Sequence, residues 1–285
     1  MRVRFWGVRG SIPVPGTDTL RFGGNTACVE VSAEGAPTVV LDCGSGARPL
    51  GRDLLTRSGR DLCVLLSHYH LDHVLGLPFF DPMYAPSFQI RVVMPDPDPP
   101  ATDLPLKHLL NGRFHPVRLP EIPPSVRFES IRPGATFPCG PIRIRSVPLI
   151  HPGGSCGYRI THGRRSLVYF TDTAPFAQPG EGLAAGRDPT EAESRILDVV
   201  RGADVLVYDT MFTLDQFITK MSWGHSYPEY AVALARAAEV AHLVLYHHAP
   251  DANDADLEEI AARWADHSAP AVSVAREGGA MDLEG

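Results

Sequence analysis

Cysteine is scarce here. The five present, Cys28, Cys43, Cys63, Cys139 and Cys156, are odd in number and scattered. No C-x-x-C pair occurs, which excludes a disulfide framework and a separate structural zinc knuckle. The thiols read instead as small buried hydrophobes. Long apolar runs are missing too, and nothing approaches the roughly 20 residues of a membrane span. The start, Met1-Arg2-Val3-Arg4-Phe5-Trp6, is too short and polar for a signal peptide. A cytoplasmic protein with no membrane partner is expected. Positive charge is not in excess: the net charge of -7 leaves no global field to attract a long nucleic acid. Arginine is nevertheless plentiful enough for a local basic cleft. Repeats and low-complexity tails are absent. What remains is an ordinary globular composition, 44% hydrophobic and 21% charged, in 285 residues that allow one large domain or two small ones.

The chain is organised around Ser67-His68-Tyr69-His70-Leu71-Asp72-His73. Three histidines and an aspartate follow the apolar run Leu62-Cys63-Val64-Leu65-Leu66, which reads as a short buried strand. Imidazole and carboxylate are the ligands of zinc and similar divalent ions. The alternating His68 and His70 can face one ion, and Asp72 and His73, past the turn, another.

Other strands are expected at 2–6, 28–32, 38–42, 89–94, 142–147, 156–160, 166–170, 204–208, 242–246 and 271–275, with helices over 47–57, 103–111, 190–201, 229–238 and 253–266. Ser226 with Glu229 three residues on reads as a capping box opening the helix at 229. Pro78–Pro141 is proline-rich, cannot be continuous helix or central strand, and reads as a lid or a dimer segment. Several later segments each end in one ligand-type residue: His151, Asp172, Asp209 and His247. Asp42, ending a neighbouring strand, is a candidate to orient a ligand histidine or simply to form a turn before Gly44. Arg9, Lys107, Arg113, His115 and the Arg164-Arg165 pair are candidate substrate contacts, with plain surface charge the competing reading.

H-x-H-x-D-H followed by a distant His, an Asp and a final His resembles the metallo-β-lactamase fold superfamily over nearly the whole chain. The resemblance implies an α/β fold, a four-layer αββα sandwich, as one domain over residues 1–285. It also implies two divalent ions, zinc foremost, with manganese or iron as alternatives. One ion would take His68, His70 and His151, the other Asp72, His73 and His247, with Asp172 bridging. His248 is the rival for the last place. Gly224-His225-Ser226 with Asp209 upstream is similar to the ribonuclease Z branch and to small cyclic phosphodiesterases. That likeness gives His225 the role of acid and Asp209 that of orienting it, with Asp72 also in the catalytic set.

The implied activity is hydrolysis of a small phosphodiester such as a cyclic nucleotide. Only twenty residues separate His151 from Asp172, too few for the basic RNA-binding arm that ribonuclease Z carries there. An RNA-processing nuclease, a carboxylic-ester, lactone or thioester hydrolase, and a metal-loaded sensor without turnover are the alternatives. The branch also implies a homodimer, for which Phe79, Phe80, Met83, Tyr84 and Phe88 offer apolar surface.

Overall fold

The computed structural model describes residues 1–96, 105–123, 125–177, 189–266 and 269–283. β-branched and aliphatic segments in the first half pair into one sheet. β1 (Arg2–Gly7), β2 (Cys28–Ser32) and β3 (Thr38–Leu41) form an antiparallel meander. Helix α1 (Ala47–Leu55) then leads to β4 (Asp61–Leu65), parallel to β3. The single turn α2 (Leu71–Val74), β5 (Gln89–Pro95), α3 (Leu106–Leu109) and β6 (Val126–Ile131) continue that sheet in parallel.

The second half repeats the plan. β7 (Thr136–Cys139), β8 (Ile142–Leu149), β9 (Ser155–His162) and β10 (Arg165–Phe170) are antiparallel. After α4 (Glu191–Val200) comes β11 (Val205–Asp209), then α5 (Leu214–Thr219) and α6 (Pro228–Ala237). β12 (His242–Tyr246), α7 (Asp254–Trp264) and β13 (Ala271–Val274) complete a parallel run. Finally β14 (Ala280–Asp282) crosses back to pair with β1. The result is two seven-stranded mixed sheets, ordered β14-β1-β2-β3-β4-β5-β6 and β13-β12-β11-β10-β9-β8-β7.

Strand periodicity sets the layers. In β4, Cys63 and Leu65 face the second sheet, while Leu62 and Val64 face α1 and the turns beyond it. In β10, Leu167 and Tyr169 point between the sheets, and Val168 and Phe170 point to the helical layer of α4 and α6. Three apolar cores therefore separate four layers, as the αββα expectation requires.

The edge strands β6, β7 and β14 were not placed from the sequence, which offered only edge structure or loops within Pro78–Pro141 for the first two. Pro138 sits within β7, where an edge position tolerates a missing donor. The expected helix at 103–111 shrinks to Leu106–Leu109, with its predicted first two residues outside the described ones. The expected capping box is corrected as well: Tyr227 holds the N-cap of α6, Pro228 starts the helix, and no side chain caps it. Ser226 is instead buried beside the site. Phe80, Met83 and Phe88 are fully buried in the outer core of the first sheet. Of the five side chains behind the dimer expectation, that leaves Phe79 and Tyr84.

Candidate metal centre

The ligand-type residues sit just past the carboxyl ends of strands from both sheets, where parallel sheets place their sites. β4 runs out into Ser67 and His68. β8 leads to His151, β10 to Asp172, β12 to His247, and β11 ends in Asp209 itself. Backbone at these exits is unusual: Asp42, Asp172 and His247 hold φ of 60°, 51° and 63°. Non-glycine residues rarely adopt such values, and they concentrate at functional sites.

The geometry assembles two ligand sets. His68, His70, His151 and Asp172 form one, and Asp72, His73, Asp172 and His247 the other, with ligand atoms within 4.8 Å of one another in each. Asp172 belongs to both. His248 turns away, its Nε2 2.9 Å from the Ala275 carbonyl, and burial pushes its pKa down to about 3. His247 is the one that faces the cluster.

Hydrogen bonds fix which nitrogen is free in four of the imidazoles, those of His68, His73, His151 and His247. Asp42 Oδ2 lies 2.8 Å from His73 Nδ1 and can only accept, so Nδ1 carries the proton. Gly224 does the same for His151 through its carbonyl at 2.9 Å. Ser67 Oγ donates to Asp42, which leaves it to accept from His68 Nδ1 at 3.0 Å. Thr171 Oγ1 donates to Asp172 and accepts from His247 Nδ1 at 3.1 Å. Nε2 of His68, His73 and His247 is then a buried lone pair without a hydrogen-bond partner. His73 Nε2 faces carboxylate oxygens of Asp72 and Asp172 at 3.1 and 3.0 Å. Acceptors converging on acceptors need a cation between them. Burial disfavours charge on His73, yet the carboxylates of Asp72, Asp172 and Asp42 lift its pKa well above the ordinary value. A divalent ion can take that proton's place, and the donor set fits one.

His225 stands outside both sets. Its Nδ1 is 2.8 Å from Asp209 Oδ2, and its ring packs against His151 and His247 with centroids 5.1 and 5.3 Å away. Burial works against the imidazolium, but Asp209, with Asp172 and Asp72 beyond it, pushes the pKa up to about 9. Asp209 also accepts the backbone N–H groups of Thr173 and Met211, which fix its carboxylate. Gly224 explains the glycine of Gly224-His225-Ser226: its φ is 81°, and a Cβ there would meet His151 Nδ1 at 2.6 Å.

Some residues escaped sequence reading. The orienting roles of Ser67 and Gly224, named only as motif members, and of Thr171 were not read: each directly precedes a site residue and hydrogen-bonds a ligand-type imidazole. Tyr169 donates to Asp42 from the opposite sheet, and the Ser11 N–H donates to Asp72. Gly10 lies so close that a Cβ would collide with His247. Other expectations are corrected. Arg9 is fully buried, with its guanidinium on the carbonyls of Gly23, Ala249 and Ala252, which takes it out of substrate binding. Arg165 pairs with Asp204 at the far end of β10. Arg113 and His115 stay candidates: the backbone N–H of Arg113 donates to Asn111 within its own loop, and the His115 ring packs edge-on against Phe79. Asp42 is an orienting residue in its geometry as well as a turn former.

A two-sheet sandwich carrying a shared-carboxylate His/Asp centre at its strand ends has the form of a metallohydrolase. The sequence profile of the beta-lactamase superfamily domain matches residues 38–248, and the chain belongs to that family. It is accordingly a metal-dependent hydrolase, and divalent metal is the cofactor that the family and the donor set imply. Ribonuclease Z of Thermoplasma acidophilum is 25% identical over 287 residues, 89% of this chain and 88% of the relative. Among solved structures, the metallo-beta-lactamase fold protein YhfI from Bacillus subtilis superposes with a TM-score of 0.70 at 21% identity, covering 98% of both chains. A diphosphatase of the PhnP family gives 0.66 at 19% identity, covering 99% of this chain and 97% of its own. No described helix is long and apolar enough to cross a membrane.

Proposed function

We propose that this chain is a dinuclear phosphodiesterase that acts on a small phosphodiester such as a cyclic nucleotide. His68, His70 and His151 would hold one ion, Asp72, His73 and His247 the other, and Asp172 both, with zinc the foremost candidate. When bound, such ions neutralise phosphoryl charge and make a water nucleophilic at neutral pH. The observation that carries the phosphodiester reading is the Asp209–His225 pair beside, and outside, the ligand sets. Asp209 holds Nδ1–H, which leaves Nε2 to carry a proton to the departing alkoxide. An alkoxide is a poor leaving group and needs that proton in the transition state.

The ribonuclease Z relative favours a second reading, an RNA nuclease. The net charge of -7 and the short span from His151 to Asp172 weigh for the smaller substrate. A panel on metal-loaded protein decides among the readings: a cyclic mononucleotide, bis(p-nitrophenyl) phosphate, a lactone and a structured RNA. Highest kcat/KM on the small diesters is expected. Preference for the RNA replaces the reading with a nuclease, and preference for the lactone with an ester hydrolase.

A further inference from the structure

Beside the chain neighbours of His70 lies a cavity of about 480 Å³, walled by Tyr69, Leu71, Val74, Phe79, Leu109 and Phe114. Tyr69 and Leu71, the chain neighbours of His70 on either side, both belong to its wall. Tyr69 is held by its hydroxyl, which donates to the Pro95 carbonyl at 2.6 Å. Phe79 meets the His115 ring edge-on with centroids 5.2 Å apart. The mouth is apolar yet open: Leu71 is 64% exposed, Phe79 51% and Phe114 82%. Three large apolar side chains exposed together on one rim mark a binding surface rather than chance. Among the described residues, His108, His115 and the Tyr69 hydroxyl are the polar groups of the lining.

Direction follows from the ring order. His151 packs on His70 at 4.9 Å and on His225 at 5.1 Å, so the chain of rings runs His70, His151, His225. The cavity adjoins the His70 end and the acid stands at the other. An alcohol that leaves must reach His225, which turns the substituent staying on phosphorus toward Tyr69 and Leu71.

We propose that this cavity receives a planar aromatic ring, a nucleobase or an aryl group, on the alcohol retained by phosphorus, which makes aromatic diesters the substrate class. The inference rests on the phosphodiesterase reading above. Ring faces and edges from Tyr69, Phe79 and Phe114 suit a flat apolar guest, the two imidazoles suit its heteroatoms, and the volume falls in the usual range for small-molecule sites.

Three diesters sharing the p-nitrophenolate leaving group test it: methyl p-nitrophenyl phosphate, bis(p-nitrophenyl) phosphate and thymidine 5′-(p-nitrophenyl) phosphate. The metal-loaded full chain should favour the two aromatic diesters over the methyl one by about 10–100-fold in kcat/KM, the worth of burying one ring. Phe79→Ala and Phe114→Ala should each cut that ratio several-fold, mainly through KM. Both side chains are exposed, so truncation spares the core. Hydrolysis of all three with a ratio near one, or a ratio indifferent to both substitutions, overturns the cavity's role and leaves the phosphodiesterase reading standing. If none is hydrolysed, the phosphodiesterase reading fails, and calorimetry judges the cavity by itself. Thymidine 5′-monophosphate must then bind more tightly than methyl phosphate, with the difference lost in Phe79→Ala; equal affinities overturn it. A two-chain mass in light scattering that falls to one chain in Phe114→Ala assigns the rim to a second copy instead and likewise overturns it.

Discussion

Asp42 gives both carboxylate oxygens away: Oδ1 accepts the Ser67 N–H at 2.7 Å, and Oδ2 accepts from Ser67 Oγ, His73 Nδ1 and Tyr169 OH. It touches no ligand atom that faces the ions, so its effect runs through the orientation of His73 and His68. Asp42→Ala should weaken divalent-ion affinity about 10–100-fold, read by competition with a chromogenic chelator. Unchanged affinity would reduce Asp42 to a turn residue. His225 is the converse case, close to the centre but not in either ligand set. His225→Ala should lower turnover by roughly 10²–10⁴ on a cyclic nucleotide, whose alkoxide needs a proton. The loss should be much smaller on a nitrophenyl diester, and bound metal should stay. A variant that loses metal would contradict the ligand assignment. One that keeps full cyclic-nucleotide turnover would remove the acid role.

At the level of elements, β4 is the arm that presents the motif. Its side chains Cys63, Val64 and Leu65 are fully buried, because helices cover one face and the second sheet the other. Leu65→Ala should cost about 2–5 kcal/mol in urea denaturation and should loosen metal binding in the same variant. A loss under about 1 kcal/mol, far below that range, would mean that β4 is not rigidly held. The same burial made the site legible from sequence: an apolar run ending abruptly in ligand residues marks a strand exit, and β4, β10, β11 and β12 all show it. Legibility stopped where partners are distant in sequence. Nothing near Asp42 announces Tyr169, which reaches it from the other sheet 127 residues on. Arg9 looked available because its carbonyl partners Ala249 and Ala252 lie more than two hundred residues away. β6, β7 and β14 were hard to place because at sheet edges few side chains are fully buried, and their apolar residues stand among exposed polar ones and a proline.

On the scale of the molecule, the centre joins the two halves of the sandwich. His68, His70, Asp72 and His73 come from the first sheet's loop, and His151, Asp172 and His247 from the ends of the second sheet's strands. Neither sheet carries a complete set. Asp172, nearly fully buried and common to both groups, is the residue on which the proposed pair of ions depends. A dinuclear centre is therefore a matter of counting ions. Metal analysis of fully reconstituted protein should return two divalent ions per chain, and the count should fall in Asp172→Ala. At most one ion per chain, unchanged by Asp172→Ala, would contradict it.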